Sequence, residues 1–187
     1  FPALLDSNSK SRKIRIWSAG CSTGEEPYSI AITLKECVPS GWDVKVIATD
    51  LDSNVVQTGL NGVYKIDRLK GVSEARKKRW FLKGSGSKEG SVKIKPELQE
   101  MIEFGQLNLM SEWPIKDSID VIFCRNVVIY FDKPTQAKLF NRYADRLPTG
   151  GHLFVGHSES LYKVCNRFEL LGQTIYKKMT KQAGLYS

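Results

Sequence analysis

Ile14-Arg15-Ile16-Trp17-Ser18-Ala19-Gly20-Cys21-Ser22-Thr23-Gly24-Glu25-Glu26-Pro27-Tyr28 runs from a short β-type segment through a glycine-bounded turn into the start of a helix. Proline in the first turn and two acids at the positive end of the helix dipole suit a helix N-terminus. Ile30, Ala31, Leu34 and Val38 then recur at helical spacing, and Pro39-Ser40-Gly41 stops the helix. Val44-Lys45-Val46-Ile47-Ala48 makes a second strand ending at Thr49-Asp50, and a helix from Ser53 to Leu60 runs into the turn Asn61-Gly62. The alternation returns downstream. Ile119 to Cys124 reads as a buried strand, Pro134 to Leu147 as a helix, Leu153-Phe154-Val155 as a strand, and Thr174-Ile175-Tyr176 as a last antiparallel one. The pattern predicts the α/β class, with a doubly wound, Rossmann-like, mainly parallel sheet.

The middle breaks the pattern. Glu74 to Leu82 reads as a basic helix, followed by Gly84-Ser85-Gly86-Ser87-Lys88-Glu89-Gly90 with Val92, Ile94, Met101, Ile102 and Phe104 beyond. Alternation around a glycine-rich turn predicts an antiparallel hairpin, so residues 83–106 are expected to be a small β-subdomain inserted into a domain spanning 14–180.

The 187 residues suit one domain, and 41% hydrophobic with 26% charged residues excludes disorder. No apolar run reaches the ~20 residues of a membrane span, and no signal peptide is expected. Cys21, Cys37, Cys124 and Cys165 show no CxxC spacing, so free thiols in a reducing, cytoplasmic setting are expected. His152 and His157 have no cysteine pair nearby, and no metal is expected. The net charge of +8 suits nucleic acid, an acidic membrane surface or an acidic protein. No nucleic-acid-binding signature accompanies it. The run Arg76-Lys77-Lys78-Arg79 is either a solvated helix face or a steering patch for an acidic partner.

Ligands of such sheets lie beyond the carboxyl ends of the strands, where this sequence places its unusual residues. The glycine loop follows the first strand, Asp50 the second, and Arg125-Asn126 the Ile119–Cys124 strand, while Asn108 precedes the latter. An acid ending the second strand can accept from ribose hydroxyls, although Asp50 alone also suits a helix N-cap. The loop is neither GxGxxG nor a P-loop, since it carries no lysine. With Glu25 and Asp50 at the mouth, a phosphate-free cofactor with a cationic end fits best, and S-adenosylmethionine has that chemistry.

Four stretches carry a resemblance: residues 15–29, Ala48-Thr49-Asp50-Leu51-Asp52, Phe123-Cys124-Arg125-Asn126-Val127-Val128-Ile129-Tyr130-Phe131-Asp132 and Gly156-His157-Ser158-Glu159-Ser160. Together they closely resemble the CheR family of chemotaxis receptor methyltransferases, S-adenosylmethionine-dependent protein-glutamate O-methyltransferases, and the resemblance runs from about residue 14 to 178. It implies a methyltransferase sheet in which Gly20, Glu25, Asp50, Asn108, Leu109, Arg125 and Asn126 line the cofactor pocket. Tyr130 matches a tyrosine near the transferred methyl. Lys83, Gly84, Gly86, Gly90 and Lys93 match residues that dock a receptor's C-terminal peptide in some members. The expected partners are a chemoreceptor's cytoplasmic domain and that peptide, with no nucleic acid, no membrane insertion and a monomeric enzyme. Family members also carry an N-terminal helical domain, so residues 1–13 are expected to be the remnant of a linker to it.

A glutamate carboxylate is ionised at pH 7 and needs no general base, so orientation is the expected source of catalysis. Arg125 is the candidate for orienting it. Tyr130 either hydrogen-bonds near the transfer or plugs the apolar run around it. His157, with Ser158 and Glu159, is expected to fix the turn after the strand at 153–155. Two other classes stay open: a methyltransferase of another substrate, and a cofactor-binding or peptide-docking module without activity.

Overall fold

From Pro2 the chain forms, in order, α1 (Pro2–Asn8), β1 (Lys13–Ala19), α2 (Glu25–Cys37), β2 (Asp43–Asp50), α3 (Ser53–Asn61) and β3 (Val63–Lys65). It continues through α4 (Glu74–Trp80), β4 (Phe81–Lys83), β5 (Ser91–Ile94), α5 (Pro96–Gln99), β6 (Ile102–Gln106) and β7 (Val121–Cys124). α6 (Lys133–Arg146), β8 (His152–Val155), β9 (Phe168–Gly172) and β10 (Ile175–Lys178) complete it. This computed structural model describes residues 2–180; Phe1, part of the expected linker, and residues 181–187 lie outside the described residues.

Seven strands form one sheet in the order β6-β2-β1-β7-β8-β10-β9. The first five are parallel, with Ile16 of β1 opposite both Val46 and Val121, and β10 is antiparallel to β8 and β9. The reversal of strand order falls between β1 and β7, which places the ligand crevice there.

The two-residue period of β1 sends Ile14 and Ile16 to one face and Trp17 and Ala19 to the other. The first pair packs with Ala31 and Leu34 of α2, the second with Leu139, Phe140 and Tyr143 of α6. Burying each of the isoleucine, leucine and phenylalanine side chains contributes about 1.5–3 kcal/mol. Trp17 also donates from Nε1 to Thr49 Oγ1 at 2.9 Å, so its polar atom is satisfied inside the core.

Strict strand–helix alternation fails in two places, because residues 107–120 and 156–167 contain no helix. Trp113 does a helix's work in the first of these. Its ring packs edge-on to Trp17 at 4.8 Å, stacks on Tyr143 at 5.3 Å and carries the Arg142 guanidinium at 3.9 Å. On the α2 face, Ile16, Val121, Phe123, Phe154 and Ile175 line a mainly apolar groove of about 880 Å³ together with Glu25, Glu26 and Arg125.

The insertion differs from the expected residues 83–106. β6, expected within it, is the edge strand of the main sheet, pairing parallel with β2 from Ile102↔Val46 to Gln106↔Asp50. The small antiparallel sheet instead has three strands in the order β3-β5-β4. Met101, Ile102 and Phe104 alternate as either location requires, and pairing with a strand some fifty residues earlier leaves no local mark. Residues 1–13, expected as linker, contain α1, where Asn8 Nδ2 donates to Asp120 Oδ1 at 3.2 Å. The described cysteines are free thiols, and no described helix is long and apolar enough to cross a membrane.

Candidate active site

The glycine loop is strapped to the end of β2. Gly20 and Cys21 both donate their N–H to the Thr49 carbonyl, at 2.8 and 2.9 Å. Gly20 has φ +94°, and a Cβ there would stand 2.3 Å from Val127 Cγ2. Both the backbone angle and the close approach therefore demand glycine.

Asp50 is half-buried beside this loop. Its Oδ2 accepts from Ser22 N–H at 2.8 Å, and Oδ1 accepts from Asp52 N–H at 3.2 Å. The N-cap of α3 is Asp52, whose Oδ1 accepts from Asn54 N–H at 2.8 Å. Of the two readings of Asp50, the cap is thus excluded. Two backbone donors aim its carboxylate, and each oxygen keeps a lone pair for a further donor.

Glu25 and Glu26 open α2. Glu25 Oε2 accepts from Thr23 Oγ1 at 2.6 Å, and Oε1 lies 3.3 Å from Arg68. Glu26 accepts from Ser18 Oγ at 2.8 Å and stands 3.5 Å from Arg125 Nη1. Burial pushes the Glu26 carboxyl above the usual glutamate range, against the pull of Ser18 and Arg125. A raised folded pKa means that the buried charge weighs on the fold: relative stability is full below the unfolded pKa and is lost as pH rises through the folded one. Glu26→Gln should remove that slope. Urea midpoints measured across the window should show the parent falling relative to the variant as pH rises. Parallel curves would show that Glu26 carries no strained charge.

Arg125 and Asn126 follow β7, and their loop is held by Glu159, a buried carboxylate at 6% exposure. Glu159 Oε1 accepts from Val127 N–H (2.8 Å) and Val128 N–H (2.9 Å), while Oε2 accepts from Asn126 N–H (3.0 Å) and Gly156 N–H (2.5 Å). Asn126 takes φ +59°, a left-handed conformation that the clamp sustains. Glu159 thus fixes more than the turn after β8: it joins that turn to the loop bearing Arg125. His157 is exposed and makes no side-chain hydrogen bond among the described residues. Tyr130 is 81% exposed, whereas Val128 is buried, so Val128 is the apolar plug of this run and Tyr130 is not.

Asn108 is exposed beyond β6 and accepts from Met110 N–H at 2.9 Å. Leu107 N–H donates to the Asp50 carbonyl at 2.8 Å, which sets this loop beside Asp50. Leu109 turns inward to the core with Trp113, so Asn108 alone of the pair presents its side chain outward. Burial, with Asp50 beside it, pushes the Cys21 thiol up to about 12, which favours the protonated thiol near neutral pH.

The candidate docking residues lie on the small sheet. Lys93 is exposed between buried Val92 and Ile94, on the opposite face of the strand. β5 is the central strand, so both of its edges are already paired and neither is open to an added strand. Gly84 is explained by the turn itself, since a Cβ there would meet the Lys88 carbonyl oxygen at 2.1 Å. Gly86 and Gly90 have positive φ and open space around them, and Lys83 is exposed at the end of β4.

Missing from the sequence reading were Glu26 as the partner of Arg125, the reach of Glu159, and Tyr64, whose Oη–H donates to the Thr23 carbonyl at 2.7 Å. Only the Glu25-Glu26 doublet gave a local signal.

The donor set fits S-adenosylmethionine. Gly20 leaves the backbone bare, Asp50 offers acceptors suited to vicinal hydroxyls, and Glu25 and Glu26 give the mouth a negative character suited to a cationic ligand. A family model described as the S-adenosylmethionine-binding domain of CheR methyltransferases matches residues 1–177. A probable chemotaxis protein methyltransferase of Rhizobium etli is 41% identical over 187 residues, covering 98% of this chain and 70% of that protein. Chemotaxis protein methyltransferase 2 of Pseudomonas aeruginosa is 45% identical, covering 94% and 65%, and the Escherichia coli chemotaxis protein methyltransferase is 41% identical, covering 94% and 63%. The chain therefore spans about two thirds of the length of these relatives. The solved structure of PKMT2 from Rickettsia typhi in complex with AdoHcy is 16% identical at a TM-score of 0.47, covering 77% of this chain and 21% of that one. With the matched model running through the glycine loop, Asp50, the Glu159-clamped loop and β10, this chain belongs to the CheR methyltransferase family and carries its S-adenosylmethionine-binding domain.

Proposed function

We propose that this domain transfers a methyl group from S-adenosylmethionine to glutamate side chains in the cytoplasmic part of a bacterial chemoreceptor, forming glutamate methyl esters. The observation that carries the proposal is the convergence of Gly20, Glu25, Asp50 and Arg125 at the carboxyl ends of β1, β2 and β7. Asp50 would hold the ribose hydroxyls, Glu25 the cationic end, and Asn108 the adenine border. When bound, the cofactor supplies an electrophilic methyl on a sulfonium.

The remaining work falls to the protein. The acceptor carboxylate is the nucleophile as it stands, so no side chain has to take a proton. That agrees with a Cys21 thiol kept protonated and an exposed His157 whose side chain makes no hydrogen bond among the described residues. Arg125, exposed yet tethered near Glu26, can hold one carboxylate oxygen in its planar fork and leave the other free. The Glu26 contact at 3.5 Å is long enough for Arg125 to exchange partners. Orientation of this kind can supply roughly 7–11 kcal/mol of a barrier. A docked receptor peptide would add to the outer edge of β3 or β4, because the β5 edges are taken.

The test is incubation with labelled cofactor and a receptor cytoplasmic domain. Label on glutamate released as methanol by mild base supports the proposal. Base-stable label would replace it with another methyl acceptor, and an absence of label would leave a binding module. Tyr130→Phe is expected to leave S-adenosylhomocysteine affinity intact and to lower kcat, since it removes only an exposed hydroxyl. Unchanged kcat would take Tyr130 out of the catalytic set.

A further inference from the structure

The glycine loop is held from two directions. On the β2 side, Gly20 and Cys21 donate to the Thr49 carbonyl, and Ser22 N–H donates to Asp50. From the other direction it meets the small sheet, where Tyr64 in the middle of β3 donates its Oη–H to the Thr23 carbonyl at 2.7 Å. Thr23 Oγ1 in turn donates to Glu25 Oε2, and Glu25 Oε1 lies 3.3 Å from Arg68, just beyond β3. The stretch from Ser22 to Glu25 therefore stands between Asp50 and the inserted segment.

The Tyr64 contact is built into the interior. Tyr64 is 8% exposed, its ring meets Tyr28 edge-on at 6.1 Å, and its backbone pairs with Val92 of β5. A Cβ on Gly24 would stand 2.9 Å from Tyr64 Oη, so the bare backbone of the loop is what admits the phenol. Burial, with Tyr28 and Glu25 nearby, pushes the Tyr64 hydroxyl well above the usual tyrosine range, and it stays a donor. The loop needs outside support, because Ser22 takes φ +48°. A residue other than glycine persists in that left-handed conformation only where its surroundings impose it.

We infer that Tyr64 is a positioning residue for the cofactor: through its hydroxyl the small sheet braces Thr23 and Glu25 against the cofactor's amino-acid end. The inference rests on the cofactor site of the proposed function and not on its methyl acceptor. A bond to the Thr23 carbonyl fixes the peptide plane between Thr23 and Gly24, and with it the direction in which Glu25 leaves the loop. Asp50, aimed by Ser22 and Asp52 N–H, serves the ribose without passing through Tyr64. Loss of the hydroxyl therefore falls on the amino-acid end of the ligand and spares the nucleoside end. Coupling between two parts of a protein is reciprocal, so a cofactor that orders the loop also steadies the small sheet.

The test compares the parent with Tyr64→Phe, which removes only the hydroxyl, and with Tyr28→Phe as a matched control. Tyr28 Oη donates to the Gly59 carbonyl at 2.8 Å, a bond of the same kind made to α3 and not to the loop. Calorimetric titration uses S-adenosylhomocysteine and 5′-methylthioadenosine, which lacks the amino-acid end, and urea midpoints establish that each variant is folded. Tyr64→Phe is expected to lose about five- to tenfold in S-adenosylhomocysteine affinity and to stay within about twofold of the parent for 5′-methylthioadenosine. Tyr28→Phe should stay within about twofold of the parent for both ligands. S-adenosylhomocysteine should also slow hydrogen exchange in β3 and β5 of the parent and have a weaker effect there in Tyr64→Phe. Unchanged S-adenosylhomocysteine affinity in Tyr64→Phe, an equal loss for both ligands, the same loss in Tyr28→Phe, or exchange in the small sheet that ignores the ligand would each overturn the inference and leave the proposed function standing. The expected pattern in a parent protein that transfers no ester label would sink the proposed function and leave Tyr64 in its role.

Discussion

Glu159→Ala is expected to destabilise the protein by about 3–5 kcal/mol, a large share of the 5–15 kcal/mol that holds a typical domain together. The carboxylate is buried and accepts from four backbone N–H groups on two segments, Asn126, Val127, Val128 and Gly156. Removing it leaves those donors without an acceptor, and Val128 N–H is fully inside the core. Each buried donor left unmade costs about 1–3 kcal/mol, and partial relaxation toward water keeps the total below the sum. Space is short as well, since a Cβ on Gly156 would already stand 2.8 Å from Glu159 Oε2 and 2.6 Å from Asn126 Oδ1. Glu159→Gln keeps one acceptor oxygen but turns an NH2 toward N–H donors, so a smaller loss in the same direction is expected. Urea unfolding measures the loss of stability. S-adenosylhomocysteine titration of the folded Gln variant should show weakened binding, because the loop that carries Arg125 and Asn126 loses its anchor. A Glu159→Ala protein with the parent's midpoint would show that the clamp is idle.

Asp50→Ala should weaken S-adenosylhomocysteine binding by about 1.5–3 kcal/mol, roughly 10- to 150-fold in Kd, through the loss of charge-assisted hydrogen bonds. The same carboxylate accepts from Ser22 and Asp52 N–H, so part of the effect comes from a loosened glycine loop. Asp50→Asn separates the two. It retains one acceptor for the loop and removes the charge, and its affinity should fall between the parent and the alanine variant. Calorimetric titration of all three, beside their urea midpoints, reads both contributions. Unchanged affinity in a folded alanine variant would remove Asp50 from the cofactor site.

The amino-acid sequence by itself determined the alternation of strand and helix from Ile14 to Asp50, the glycine loop, and Asp50 at the end of β2. Each of these rests on local physics: two-residue and 3.6-residue periods, a proline in a first helical turn, and glycine where φ is positive. Only the tertiary structure decided that Ile102–Gln106 is an edge strand of the main sheet, that β5 is central with no open edge, and that Leu109 turns inward. It also decided the role of Glu159, whose partners lie 31 to 33 residues away on the β7 side. Backbone N–H groups are the same in every residue type but proline, so a side chain that binds them across such a distance leaves no pattern in the sequence. Strand pairing is equally silent, because alternating residues fit any partner that buries their apolar face, and only the assembled sheet selects one.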